Sequence, residues 1–366
     1  MRLTEISFNG WRNLAQMNVE CDAPLVVVHG DNGQGKSNLL EAVHVLGTLK
    51  SFRESRPRRW IQHGAELAQV GAKVRTPHGL REISWGWSNG VRRLTMDGAV
   101  QNEIQMWFQA IRAVVFCPED GAIVRGEPDR RRRFLDRAAF TAHPSHLNTV
   151  QSYRRVLGHK RALLTSGMAD PMQLDIFDAE LARTGSALIS RRLAVLDELR
   201  QAFEPMHNAI AGSGVVDLKV QVSGLGIVEE MNEEEICLNL SKAIADKRSS
   251  EIERRQVLVG PHRDDLDIRI DGRPARNFAS QGQARSIVLG LKLAELEAAH
   301  RRGEVPLFLL DDLTSELDQG RRSRLIEILR DLDGQVWVTT TDPAYLGDLS
   351  GVQSLNMHVQ SGRVEV

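Results

Sequence analysis

Cysteine is scarce. Only three occur in 366 residues, Cys21, Cys117 and Cys237, far apart and with no Cys-x-x-Cys pair. That excludes a zinc frame or a disulfide scaffold and reads as buried apolar thiols in a reducing compartment. Lysine is scarce too, at eight of the 47 cationic residues, which leaves the planar guanidinium fork as the main cation and gives weak support to phosphate contact. Neither sign of charge is in excess: 47 Lys and Arg face 48 Asp and Glu, for a net charge of −1, so any footprint for a polyanion must be local. Long apolar runs are missing. A stretch such as residues 306–310 is far too short to span a bilayer, and residues 1–11 alternate without the apolar core of a secretion signal. The expectation is a cytoplasmic protein with no membrane partner. There is no internal repeat, low-complexity linker or Asn-Lys-x-Asp guanine-reading motif.

What is present is a glycine-rich phosphate loop in its working context. Gly30-Asp31-Asn32-Gly33-Gln34-Gly35-Lys36-Ser37 follows the apolar run 25–28 and precedes Asn38-Leu39-Leu40-Glu41-Ala42-Val43. Strand, loop and helix in that order let backbone N–H groups curl round an anion at a helix start, with Lys36 reaching the terminal phosphates and Ser37 holding magnesium. Without a guanine motif, the nucleotide expected is ATP.

A second set of residues completes such a site. Residues 307–310 are four apolar residues ending in Asp311-Asp312, which predicts a buried strand whose tip presents Asp311 to Mg2+, with Asp312 placed to orient and deprotonate water. Ser280-Gln281-Gly282-Gln283 precedes a long helical stretch and reads either as a helix cap or as another anion site. Ser315-Glu316-Leu317-Asp318 follows the carboxylate pair, and Thr339-Thr340-Thr341 caps a late strand, where a hydroxyl could touch the γ-phosphate.

The pattern along the chain is α/β. Strands are predicted at residues 67–75, 81–87 and 91–96 after a helix over 37–46, forming an antiparallel sheet attached to the nucleotide-binding strands. Residues 121–255 read as a mainly helical insertion, with helices over 171–203 and from the acidic segment 229–235 to about 247. Alternation resumes at 266–270, followed by a helix over 283–300, a strand at 307–310, a helix over 319–332 and a strand at 335–339. Three segments result: 1–120, carrying the phosphate loop and antiparallel sheet; 121–255, a helical lobe; and 256–366, carrying the Ser-Gln-Gly-Gln segment and the rest of the ATPase lobe.

This order of motifs resembles the ABC-type ATPase head, and within that superfamily the chain is similar to the RecF family of bacterial recombinational repair proteins. The resemblance runs over nearly the whole length, through Ser51-Phe52-Arg53, residues 116–120, Gly260-Pro261-His262-Arg263-Asp264-Asp265-Leu266, residues 278–283 and Asp311-Asp312. It implies a nucleotide lobe built from both chain ends, a mainly helical second lobe, and an ATP-dependent homodimer. In that dimer Lys36, Ser37 and Asp311 would bind ATP and its magnesium, while Ser280, Gln281, Gly282 and Gln283 of the partner copy would close over the γ-phosphate. Against the broader ABC pattern, Gln281 stands for a glycine, Asp312 for the catalytic glutamate and Thr340 for the switch histidine. The shorter carboxylate implies slow turnover, suited to a timed clamp. Glu119 and Asp120 are the nearest candidates for the glutamine that normally touches the magnesium shell.

The resemblance also implies DNA as partner, as gapped duplex or single-strand/double-strand junctions. Mediators of the RecO and RecR type, help in loading RecA, and SOS induction are implied with it. Arg130, Arg131, Arg132 and Arg133, together with Arg53 and Arg56, are local clusters able to contact phosphates without reading sequence; each reads equally as a solvated, acid-paired face. Arg154-Arg155 and Lys160-Arg161 could extend the track. Two other classes share the head, a transporter ATPase subunit and a short SMC-type chromosome-organising ATPase. The first normally needs Leu-Ser-Gly-Gly-Gln, and the second needs hundreds of residues of heptad repeat.

Overall fold

The structure is a computed structural model that describes residues 1–167, 170–212, 214–313, 317–347 and 352–366. Two units separate by their internal contacts. Unit 1 comprises Met1–Asp120, Pro205–Gly212 and Arg285–Val366; unit 2 comprises Gly121–Glu204 and Ser213–Ala284.

Unit 1 opens with strands β1 (Arg2–Asn9), β2 (Met17–Glu20) and β3 (Leu25–His29) and helix α1 (Lys36–Thr48). Strands β4 (Leu67–Thr76), β5 (Gly79–Ser88), β6 (Val91–Met96) and β7 (Ala99–Val100) follow, then α2 (Ile104–Ala110) and β8 (Ala113–Phe116). Period-two alternation in β4, buried at Ala68, Val70, Ala72 and Val74, gives a sheet with one covered face, in the antiparallel order β2-β1-β4-β5-β6-β7.

Unit 2 holds α3 (Ala122–Arg125), α4 (Pro128–Ala142), α5 (His146–Ser166) and most of α6 (Pro171–Ala211). Strands β9 (Val216–Val222) and β10 (Gly226–Ile227), helix α7 (Glu233–Arg254), strands β11 (Asp265–Ile270) and β12 (Arg273–Pro274), and α8 (Ala275–Phe278) complete it. Here the structure differs from the sequence-based division. Val216-Asp-Leu-Lys-Val-Gln-Val is a half-buried strand that pairs antiparallel with β11 from Gln221↔Asp265 to Val216↔Ile270, in a four-stranded sheet β10-β9-β11-β12. That ladder assigns residues 256–284 to unit 2, so the second boundary falls after Ala284 and not after residue 255.

Helix α9 (Gln281–Arg301) leads back to unit 1, followed by β13 (Leu307–Leu310), a helix Gln319–Arg330, and strands β14 (Val336–Thr340), β15 (Ser354–Gln360) and β16 (Arg363–Glu365). The second sheet of unit 1 runs β16-β15-β3-β14-β13-β8, parallel except for β16. Strands β8, β13 and β14 are buried at every residue, as continuous apolar strands covered on both faces should be. Helix α1 lies against β8, β13 and β14. The two sheets are tied by Gln335, whose buried amide accepts from Leu3 N at 2.9 Å and donates to the carbonyls of Leu3, Cys21 and Ala23.

Candidate functional site

Parallel register sets the site. Thr340 pairs with His29, and Leu310 pairs with both Val338 and Phe116, so β3 and β14 end level with each other and β13 and β8 end level two residues earlier, all four with their carboxyl termini at one edge of the sheet. Such a row of strand ends is where open α/β sheets bind ligands. The phosphate loop leaves β3 there, and Asp311 and Asp312 leave β13 beside it.

The loop has the backbone an anion cradle requires: Gly30, Gly33 and Gly35 take φ of 137°, 80° and 125°. Gly30 is irreplaceable on packing as well, since a Cβ there would lie 2.4 Å from Val359 O. Gly35 is the N-cap of α1 and brings no capping side chain, so the first N–H groups of the helix face the loop. Lys36 Nζ donates to Gly30 O at 2.6 Å and Asp31 O at 2.8 Å. Burial lowers its ammonium below the ordinary value, against the pull of Asp312, Asp311 and Asp31.

Asp311 is 4% exposed. Burial raises its carboxyl, opposed by hydrogen bonds from the Ser37 and Thr339 hydroxyls and by the charge of Arg53, while Glu119 pushes it up. Ser37 and Asp311, expected as joint magnesium ligands, are thus brought near enough for the Ser37 hydroxyl to favour the ionised Asp311. An oxygen-only pair on a hydroxyl and a buried carboxylate suits a hard divalent cation, so this donor set fits the ion. Asp312 has φ 52°, the left-handed region, and its N–H donates to Thr339 Oγ1 at 2.8 Å; that hydroxyl donates on to Asp311 Oδ1 at 2.9 Å. Thr339 therefore joins the two carboxylate residues, a role the sequence did not reveal. Thr340, expected as the switch, is fully buried, and its hydroxyl donates to Asp342 O at 2.9 Å.

The N-terminal segment also reaches the loop. Asn13 Nδ2 donates to Gln34 O at 3.1 Å, and Asn13 Oδ1 accepts from Asn38 Nδ2 at 2.8 Å. Arg53 Nη1 donates to Asn38 Oδ1 at 2.9 Å, which puts Arg53 at the nucleotide site; Arg56 is exposed nearby. Of the magnesium-shell candidates, Asp120 is buried and accepts from Cys117 N, while Glu119 is exposed and lines the same polar cleft as Arg53 and Asn38.

In unit 2, Ser280 Oγ accepts from Gln283 N at 3.1 Å and Gln283 Oε1 accepts from Ser280 N at 2.8 Å, a reciprocal capping box at the start of α9. Gln281 is exposed, Gly282 and Gln283 half-buried. Ser315 and Glu316 lie outside the described residues.

The arginine run is corrected by the structure. Arg131 is 4% exposed and pairs with both oxygens of Asp265 at 2.6 and 2.9 Å, so it is a structural cation and not a free phosphate ligand. Arg132 is half-buried on Asp264 O; Arg130 and Arg133 are exposed. Lys160 is likewise buried, between Asp178 and Glu251 at 2.6 Å each. Helical periodicity explains both cases: positions three and four apart from buried apolar residues turn inward, and a cation there needs a carboxylate. The Gly260-Pro-His-Arg-Asp segment is also structural in its contacts. Gly260 has φ 129°, the Tyr153 hydroxyl meets His262 Nδ1 at 2.6 Å, and buried Asp264 receives Ser223 N and Arg192.

No protein-family model matches the chain. Among curated proteins, the DNA replication and repair protein RecF of Anaeromyxobacter sp. (strain Fw109-5) is 36% identical over 366 residues, covering all of this chain and 99% of that one. That of Geobacter sulfurreducens is 36% identical over 348 residues, 94% of each chain. A solved structure of the "recombination mediator protein RecF-ATP in RecFOR pathway" superposes with a TM-score of 0.90 at 29% identity, over 99% of this chain and 96% of that one. An Smc head bound to the C-winged helix domain of ScpA gives 0.56 at 14% identity over 99% and 96%, a likeness of fold alone.

Proposed function

The chain belongs to the RecF family of DNA replication and repair proteins, with the fold of an ABC-type ATPase head, and on that footing we propose that it is an ATP-dependent DNA clamp. Two copies close on gapped duplex or a single-strand/double-strand junction when ATP binds, and slow, DNA-stimulated hydrolysis releases them. In the cytoplasm the clamp assists mediators of the RecO and RecR type in loading RecA, and so contributes to SOS induction. Among the described residues no helix is long and apolar enough to cross a membrane.

The observation that carries this reading is the meeting of Lys36, Ser37, Asp311 and Asp312 at the carboxyl ends of neighbouring parallel strands. Lys36 neutralises the terminal phosphates, and the loop N–H groups orient them. Ser37 and Asp311 hold magnesium, which when bound supplies charge neutralisation at those oxygens. Asp312, its backbone fixed by Thr339, orients water and accepts its proton, with only one methylene of reach. Ser280 and Gly282 of the second copy cover the γ-phosphate side, and Thr340 is the strand-end residue beneath it. DNA contact falls to the exposed Arg130 and Arg133, with Arg56 as a further candidate.

Asp312→Asn should keep ATP binding, lose turnover and accumulate as a DNA-bound dimer. Sedimentation with Mg-ATP and a gapped duplex reads this directly; a variant that dimerises no better than wild type removes the cycle.

A further inference from the structure

Glu41 has no part in the chemistry above, yet it is a carboxylate with no solvent exposure inside the apolar face of α1. Its two oxygens take three donors. Oε2 accepts from Arg12 Nε at 2.8 Å, while Oε1 accepts from Arg12 Nη2 at 2.6 Å and from the Ser51 hydroxyl. Ser51 Oγ in turn accepts from the backbone N–H of Arg53 at 2.9 Å and of Glu54 at 2.8 Å. A serine hydroxyl has one hydrogen and two lone pairs, and all three are engaged here.

The chain of contacts goes further. Arg12 Nη1 holds Arg59 O at 2.9 Å, Trp60 Nε1 holds Glu54 O at 2.9 Å, and Trp60, Trp11 and Trp85 pack in tilted and edge-to-face contact with centroids 5.2 to 5.6 Å apart. Trp11 Nε1 donates to Asn38 O at 2.8 Å. Residues 51–60 are thereby tied to the first turns of α1, and the tie ends at Arg53, whose guanidinium rests on Asn38 beside the loop. Arg12 adopts φ 50°, a left-handed conformation a non-glycine residue keeps only where its surroundings hold it.

We propose that Glu41 is a positioning residue for ATP turnover: through Ser51 it fixes the backbone at Arg53 and Glu54, and so aims Arg53 at the phosphate loop and Asp311. This rests on the ATPase reading. Glutamine cannot replace it. If the amide nitrogen takes the Oε1 place, Ser51 must turn its hydrogen away and lose an acceptor bond; if it takes the Oε2 place, it meets Arg12 Nε donor to donor.

The test compares wild type with Glu41→Gln, Arg53→Ala and the double variant. Hydrogen exchange without nucleotide should show residues 52–60 opening about tenfold faster in Glu41→Gln, with β13 unchanged. Turnover should fall about tenfold with KM within about twofold, Arg53→Ala should match it, and the double variant should be no slower than the slower single one. Ser51→Ala, which cuts the tie without touching the core, should reproduce the same pattern and serves if Glu41→Gln does not fold. Additive losses in the double variant, or unchanged exchange in residues 52–60, would overturn the proposal. A wild type that turns over no ATP would sink the ATPase reading instead, and the exchange measurement still decides the tie.

Discussion

At the scale of single residues, His262 ties proton uptake to the stability of unit 2. Burial lowers its imidazole to about 4, with Arg161, Arg263 and Arg132 adding to the effect and its contact with Val257 O opposing it. An unfolded chain takes up this proton near the ordinary value of 6.5, whereas the folded chain refuses it until about 4. Stability from this group is therefore full above 6.5 and is lost as pH falls through that window, by at most about 3 kcal/mol. Urea unfolding of wild type and His262→Gln between pH 7 and 4 should show wild type losing more stability on acidification; parallel curves would contradict it. Asp136 is shifted in the same direction, and its contribution is lost only at lower pH. Burial pushes it up, but Arg192 and His146 outweigh that and hold it well below the carboxylate range, so its pair survives mild acid.

At the scale of elements, α4 separates two uses of one cation type. Arg131→Ala strands Asp265 on a mostly covered surface and should cost about 3–5 kcal/mol of stability while leaving the salt dependence of DNA binding unchanged. Arg130→Ala and Arg133→Ala should cost little stability and each lower the slope of log affinity against log salt by about one. Fluorescence titrations at several salt concentrations, set beside melting curves, distinguish the two. The sequence held four arginines of equal appearance, and only the helix's inward face, set by Phe134, Leu135 and Ala138, decides between them. Strand, loop and helix round Lys36 were legible because covalent adjacency carries that geometry. Asp311 was legible as the end of an apolar run. Thr339, Asn13 and Glu41 were not, since their roles come from contacts between residues 21 to 29 positions apart that no local spacing records. Strand β9 carries its alternation openly, but it stands alone between longer helical stretches, and its partner β11 lies some fifty positions away.

For the whole molecule, unit 1 is assembled from both ends of the chain, and Gln335 is its clasp. Gln335→Leu leaves Leu3 N without its acceptor and takes a donor from the carbonyls of Leu3, Cys21 and Ala23, and should cost about 3 kcal/mol or more in urea unfolding, with ATP binding lost in parallel. A variant as stable as wild type would show the clasp to be dispensable. The strand that launches the phosphate loop has β15 on one side and β14 on the other, both from the last thirty-one positions. During translation, then, residues 25–29 are made some three hundred codons before either neighbour exists, and the nascent nucleotide site is an unpaired apolar ribbon until residues 336–360 follow. A premature stop upstream of codon 336 would therefore yield a chain that clumps or is degraded, not a shortened enzyme with partial activity.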